Sequence, residues 1–456
     1  MFKKILPLAV MASLFSCSQT PVVSDATRSV ASADIPVVYF SPTQGEEAFA
    51  KLYDIISGAK EYVHVSVYSW SDSGLDKALE KALANKAKVR VVLHPDLKKT
   101  KKVIDSVAKL EALGAEFKWA PMNMHEKFTL VDDEFVINTS ANFSGGARNK
   151  YSEAMVFHRD TPDPKDGMNS LIRDFKNEFA VIWNTGKDAI THGEPPAAQL
   201  TDDFTKMKGG TVVNEPEKDS EISLYSSSMN WYLEPVKQTT AAYKAGKYMD
   251  LEPKKTKVGD AEEQTWVVRD VIIDHIKKAR KSIYLSLNHF NIRAVSDALI
   301  DAVKRGVDVR LAVDNQEYKG KPNDLEMTPQ FVADWAKIKG KVPPPVRVKY
   351  YSHEPSPRYW LLNHHKYILI DFNEKDPSQT VLLAGSYNLS QTAEQNQFDN
   401  VVLYRSPKYE ELYDGFYEEF QRLWNWNREN DAPKKAVWDL FLTPKNNSYP
   451  VHVNEA

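Results

Sequence analysis

One stretch of nine residues that occurs twice constrains this chain more than any other feature. Ala59-Lys60-Glu61-Tyr62-Val63-His64-Val65-Ser66-Val67 is matched in its apolar positions by Ala279-Arg280-Lys281-Ser282-Ile283-Tyr284-Leu285-Ser286-Leu287, 220 positions later. Continued without a gap, the same offset pairs Leu75 with Val295, Leu79 with Leu299 and Arg90 with Arg310. Each copy reads as an alternating apolar strand, an amphipathic helix and a second apolar strand, Val89–Leu93 or Val309–Val313. A helical crossover between two strands is how parallel neighbours are joined. The expected fold is therefore α/β: two pseudo-symmetric α-β-α halves, each a mixed, mainly parallel sheet flanked by helices.

The copies also end alike. Phe175, Glu178, Phe179 and Trp183 return as Phe416, Glu419, Phe420 and Trp424, spaced by fours as on one buried helix face. This sets the expected halves at residues 35–184 and 220–430 of the 456, with a linker at 185–219 rich in Pro, Gly, Lys and Asp. An insertion from about Asn230 to Glu263 separates the first strand and helix of the second copy. Its Tyr, Trp and Met content suggests that it packs on the body or lines a cleft. A tail at 431–456 carries Trp438, Leu440 and Phe441, which suit docking back onto the body.

The first residues read as a targeting segment. Met1-Phe2-Lys3-Lys4 is basic, and the apolar run Ile5 to Phe15 is shorter than the ~20 residues a spanning helix needs. Leu14-Phe15-Ser16-Cys17 resembles the bacterial lipobox, which implies a signal peptide at 1–16, lipidation of Cys17 and a tether at 17–34. Ser18 after the cysteine implies an exported protein anchored at the outer membrane, with the membrane as a partner. Cys17 is the chain's one cysteine, so no internal disulfide is possible. The net charge of −3 argues against a protein that tracks long nucleic acids by neutralising phosphates, although it leaves room for a local basic cleft.

Chemistry enters after the second strand of each copy. His125-Glu126-Lys127 is followed by Asp132, then Ser140-Ala141-Asn142 and Glu153; His364-His365-Lys366 is followed by Asp371, then Ser386-Tyr387-Asn388 and Asp399. Both fit His-x-Lys-x4-Asp with a later Ser-x-Asn. His125 precedes Glu153 by 28 residues and His364 precedes Asp399 by 35, a difference of seven that a loop insertion around Asn373–Thr380 would supply. At positions i and i+2 of an extended segment, each His and Lys projects to one side. Asp132 and Asp371 fall at odd spacing from their histidines and read as structural residues holding a turn or sheet edge.

These segments resemble the paired HKD motifs of the phospholipase D superfamily, and the resemblance covers essentially the whole chain after the tether. It implies two phospholipase D-like halves sharing one phosphodiesterase site in a monomer built as an internal pseudo-dimer. Lys127 and Lys366 would neutralise the phosphate; Ser140, Asn142, Ser386 and Asn388 would bind its oxygens. One imidazole would form a covalent phosphohistidine while the other protonates the leaving alcohol. Family order makes His125 the nucleophile and His364 the acid and base, with Glu153 and Asp399 orienting the rings. Two departures stand out. Thr139 occupies the place of Gly385 and of the family's usual Gly, which implies a different backbone or weaker phosphate binding if that place needs a positive φ. Asp399 replaces the commoner Glu, with one methylene less reach.

No cofactor is expected, and the spacing of acidic, His and Cys residues suggests no metal site. The motif leaves the substrate open. Lipid anchoring and a near-neutral chain favour a phospholipid; nucleic acid is the alternative substrate, and phosphatidyl transfer, as in cardiolipin synthesis, would use the same intermediate. A non-catalytic binding module would require a broken motif, and both copies are intact.

Overall fold

Val63, Val65 and Val67 are wholly buried, and the strand they form lies at the centre of an eight-stranded sheet. The computed structural model describes residues 35–159, 170–189, 197–200, 220–259, 261–314, 327–340, 342, 345–349, 362–425 and 452–453. The expected signal segment with Cys17, the tether to residue 34 and nearly all of the tail lie outside the described residues.

The first half runs β1 (Val37–Ser41), α1 (Gly45–Ser57), β2 (Tyr62–Val67), α2 (Ser73–Ala84), β3 (Lys88–Leu93), α3 (Lys101–Glu111), β4 (Glu116–Trp119), β5 (Asn123–Met124), β6 (Phe128–Val131), β7 (Phe135–Thr139), α4 (Gly145–Asn149), β8 (Glu153–Arg159), α5 (Ser170–Thr185) and β9 (Lys187–Asp188). The second runs β10 (Ile222–Ser226), β11 (Trp231–Pro235), α6 (Ala241–Lys244), β12 (Met249–Pro253), β13 (Lys255–Val258), β14 (Ala261–Gln264), α7 (Val267–Lys278), β15 (Ser282–Leu287), α8 (Arg293–Lys304), β16 (Asp308–Asp314), α9 (Met327–Lys339), β17 (Val346–Lys349), β18 (Lys366–Ile370), β19 (Val381–Gly385), α10 (Gln391–Gln395), β20 (Gln397–Phe398), β21 (Asn400–Tyr404), α11 (Glu410–Trp424) and β22 (His452–Val453).

The two sheets have equivalent orders, β1-β8-β7-β6-β2-β3-β4-β9 and β10-β21-β19-β18-β15-β16-β17-β22. They are not mainly parallel. Among the described residues, only β2-β3 and β3-β4 pair in parallel in the first sheet, and β15-β16, β16-β17 and β17-β22 in the second. The other nine pairings are antiparallel. The repeated strand–helix–strand unit sets only the parallel centre. Around it, β6 and β7 are joined by residues 132–134, too short for anything but a hairpin. The matching hairpin of the second half spans 371–380, so the seven extra residues lie in that loop.

Amphipathic helices cover the outer faces, as where α1 buries Ala48, Phe49, Leu52 and Ile56 along one stripe. The last helix of each half instead turns inward, and its aromatic residues enter a core shared by both halves. Phe175, Phe179 and Trp183 of α5 and Phe416 and Phe420 of α11 belong to it. Phe416 meets Phe40 of β1 edge-on at 5.1 Å, and Glu178 of α5 accepts from Ser226 at the end of β10. The insertion forms two ribbons, β11-β12 and β13-β14, and packs against α5 through β12. Residues 187–188, in the expected linker, are an edge strand on β4. Among the described residues no helix is long and apolar enough to cross a membrane.

Asp132 and Asp371 sit just after β6 and β18 with φ of 56° and 50°, a left-handed conformation that Asp tolerates better than most residues. Asp132 accepts backbone N–H groups from Lys60, Glu61 and Tyr62 at 2.7–2.8 Å. Asp371 does the same for Arg280, Lys281 and Ser282. Each therefore ties its hairpin to the start of the central strand. Asp371→Ala loses charged acceptors for three donors and should lower unfolding free energy by about 3 kcal/mol, with Asp371→Asn recovering part of it. An unchanged urea midpoint in the alanine variant would contradict this role.

Candidate active site

The His-x-Lys segments lead directly into β6 and β18, which both lie beside the central strand. Main-chain bonds then draw the two segments together. His125 N and Glu126 N donate to Phe398 O, and β5 pairs with β20. In the mirrored place His364 N donates to Ser152 O and Ser152 N to Leu362 O. The imidazoles of His125 and His364 face one another with centroids 6.5 Å apart.

Each ring is held by a carboxylate from the opposite half. His125 Nδ1 lies 3.0 Å from Asp399 Oδ1, and His364 Nδ1 lies 2.8 Å from Glu153 Oε1. A carboxylate only accepts, so each Nδ1 carries the hydrogen and each Nε2 keeps its lone pair. Beneath the rings, Lys127 donates to His125 O and Lys366 to His364 O. An ammonium has three donors, which leaves others for an anion. The sequence places Asp399 one methylene short of its counterpart. Gln397 completes it, donating to Oδ2 at 2.5 Å.

The rings open into a cavity of about 520 Å³, also lined by Asn142, Asn388, Tyr68, Tyr151 and His289. The Oδ1 atoms of Asn142 and Asn388 are buried without a protein partner. Ser140 and Ser386, expected on a bound phosphate, are turned away from that role. Their hydroxyls donate to Glu153 and Asp399 and accept Ala154 N–H and Asn400 N–H. They fix the carboxylates. The contrast of Thr139 with Gly385 is not one of φ, since neither is in the left-handed region. A Cβ at Gly385 would stand 2.3 Å from Asn400 O, whereas the Thr139 hydroxyl donates to Ala154 O and accepts Ala141 N–H.

Burial dominates the electrostatics. It pushes both imidazoles well below the ordinary histidine range, helped by the charges of Lys127 and Lys366. It lowers Lys127 to about 8 and Lys366 to about 7, and raises Glu153 and Asp399 to about 7 against the pull of the lysines. The rings are thus neutral at pH 7, and an anion between them would favour their charged forms. Among the described residues no group of three or more His, Cys, Asp or Glu is placed to hold a metal ion.

A family model described as "Cardiolipin synthase, PLD-like domain" matches residues 52–183 and again 272–424, more than half of the chain. The chain belongs to this phospholipase D-like family. It is similar to the mouse "5'-3' exonuclease PLD4", 27% identical over 177 residues, 34% of this chain and 33% of that one. It is also similar to the "Mitochondrial cardiolipin hydrolase" of Danio rerio, 28% identical over 155 residues, 34% of this chain and 55% of that one. The chain thus spans a third to about half the length of these curated relatives. Among solved structures, the phosphatidylserine synthase of Haemophilus influenzae Rd KW20 is 13% identical over 85% of each chain with a TM-score of 0.46. The phospholipase D family member Nuc from Salmonella typhimurium is 24% identical over 34% of this chain and 97% of its own, with a TM-score of 0.30.

Sequence reasoning on this phospholipase D-like chain missed Gln397, whose place in the first half is taken by Tyr151 and so carries no repeat signal. It also missed the two carboxyls of Glu126 and Glu178, both buried behind His125. Burial and the Glu178 carboxyl push Glu126 well up, so it holds its proton. The crossed pairs yield a direct test by 15N imidazole spectra. Glu153→Ala should disturb the tautomer signature of His364 and leave that of His125; Asp399→Ala should do the reverse. A disturbance confined to the histidine of the mutated half would contradict the crossing.

Proposed function

We propose that this chain hydrolyses phosphodiesters in two steps through a covalent phosphohistidine, and that its substrate is a phospholipid. The observation that carries the chemistry is the pair of imidazoles with centroids 6.5 Å apart at a polar cavity, each held through Nδ1 by a carboxylate so that its Nε2 stays free to react. With a phosphodiester between them, Nε2 of His125 attacks phosphorus, the bond to the leaving oxygen breaks, and protonated His364 gives that oxygen its proton. Water then attacks phosphorus while His364 takes its proton, and the phosphorus–nitrogen bond breaks to return the lone pair to His125. Lys127, Lys366, Asn142 and Asn388 surround the charge that builds on the phosphoryl oxygens. An alcohol in place of water would give phosphatidyl transfer.

The near-neutral charge supports a lipid headgroup over a long polyanion, the anchoring at a membrane that we propose through Cys17 agrees with it, and one relative is a cardiolipin hydrolase by name. One observation favours the nuclease reading. Lys102, the last of four lysines among residues 98–102, reaches the cavity mouth, where it donates to Ser71 O, and Ser71 lines the cavity. The exonuclease relative points the same way.

The experiment gives protein with and without EDTA labelled phosphatidylcholine, phosphatidylethanolamine, cardiolipin, single-stranded DNA and RNA in parallel. Lipid turnover insensitive to EDTA is expected, with His125→Ala and His364→Ala each slower by roughly a thousandfold or more. Turnover of nucleic acid alone would replace the lipid by the second reading. Full activity in either histidine variant would contradict the mechanism.

A further inference from the structure

The two histidine segments are hung from the sheet by different chemistry. In the second half, Asp314 at the end of β16 is fully buried and its Oδ2 accepts Asn363 N–H at 2.7 Å, the amide just before His364. The residue 220 positions earlier is His94, directly after β3. Its Nδ1 accepts Met124 N–H at 3.1 Å, the amide just before His125. The same donor of the same repeat is thus met by an aspartate oxygen on one side and an imidazole nitrogen on the other.

The difference matters because only one acceptor can be lost to protonation near neutrality. A carboxyl group keeps an acceptor oxygen in either protonation state. An imidazole accepts through Nδ1 only while that nitrogen is bare; once protonated, it opposes Met124 N–H with a second donor. The second segment also has more supports. Asn363 is held by Ser286, by Ala312 O and through its carbonyl by Asn288. Met124 has no polar side chain, so its polar ties are main-chain bonds and the His94 contact.

The surroundings of His94 keep it neutral at pH 7. Its ring lies 4.7 Å from the Tyr68 ring, which in turn meets His125 at 4.9 Å. Asp96 in the turn after β3 stands 3.7 Å from Nε2 and is itself paired with Lys99. Lys127, at the start of β6, faces it with positive charge. Burial lowers its pKa below the ordinary value, Lys127 adds to that, and Asp96 opposes it. Protonation therefore comes as pH falls below the usual histidine range.

We propose that His94 is a positioning residue for His125 and an acid-sensitive one, which releases the first-half histidine segment when its Nδ1 is protonated while Asp314 keeps the second in place. For its activity arm this rests on the phosphodiesterase reading. The test follows the hydrolysis of bis(4-nitrophenyl) phosphate and the exchange protection of the Met124 amide between about pH 5 and 8. Wild type is compared with H94N, whose Oδ1 replaces Nδ1 as a non-titrating acceptor, with H94D, which copies Asp314, and with H94A. In wild type, kcat and Met124 protection should fall together on the acid side with KM little changed. In H94N and H94D both acid limbs should move down by about a pH unit or more. H94A should lose Met124 protection at every pH and roughly tenfold or more in kcat. Identical acid limbs and Met124 protection in wild type and H94N would overturn the proposal, whether or not H94A folds. Acid-dependent Met124 protection that H94N abolishes, in a protein that hydrolyses no phosphodiester, would uphold the His94 bond and strike at the phosphodiesterase reading.

Discussion

Two carboxylates that reach out of their own half to hold the other half's histidine set the terms for the rest of this structure. Glu153, Asp399, Lys127 and Lys366 are all buried, and a buried charge without a partner costs several kcal/mol, of order 5 or more. Each has partners in its own half, and the set is completed across the junction when each carboxylate meets the other half's histidine. The main chain enforces the same crossing, because the residues next to each carboxylate, Ser152 and Phe398, pair with the opposite histidine segment. The aromatic faces of α5 and α11 close a common core beneath it. A half alone would leave each carboxylate without its histidine and expose that aromatic face, so docking of the halves and assembly of the site are one event.

The repeat is symmetric where phosphorus would sit and asymmetric one layer down. Behind His125 lie two buried carboxyls, Glu126 and Glu178, with Oε2 of Glu178 accepting from Ser226 and Ser228. Behind His364 lies an ionic group, His365 on Glu419 with Arg422 bound to the same carboxylate by two bonds. Gly385 makes a close backbone contact that Thr139 replaces with two hydrogen bonds. Duplicate geometry at the surface of the cavity is therefore reached by different supports, which gives the two histidines different surroundings without moving them.

Much of this was legible in the sequence because it is carried by spacing. The offset of 220 located the central strands, the fours of Phe175, Phe179 and Trp183 located the inward helices, and the twin His-x-Lys segments located the cavity. Direction was not legible: a βαβ unit announces parallel strands, whereas most of the antiparallel pairings, such as β1 with β8 and β2 with β6, join strands far apart in the chain. Nor was the partner of each polar group. Ser140 and Ser386 have the right types and spacing for a phosphate, yet the nearest charge in three dimensions is a carboxylate. The role of His94 was not legible because the group it meets is a main-chain amide, and main-chain donors leave no mark on residue identity.

A single site shared by two halves has a countable consequence. Mixing the protein with an excess of a phosphodiester that releases a chromophore in the first step, and extrapolating the initial burst, counts the proposed phosphohistidines per chain, provided the second step is slower. One site with one nucleophile gives one equivalent per chain, and either histidine-to-alanine change removes productive turnover of the whole chain. Two equivalents per chain, or half of the wild-type steady-state rate surviving loss of one histidine, would mean two independent centres and would contradict the shared site.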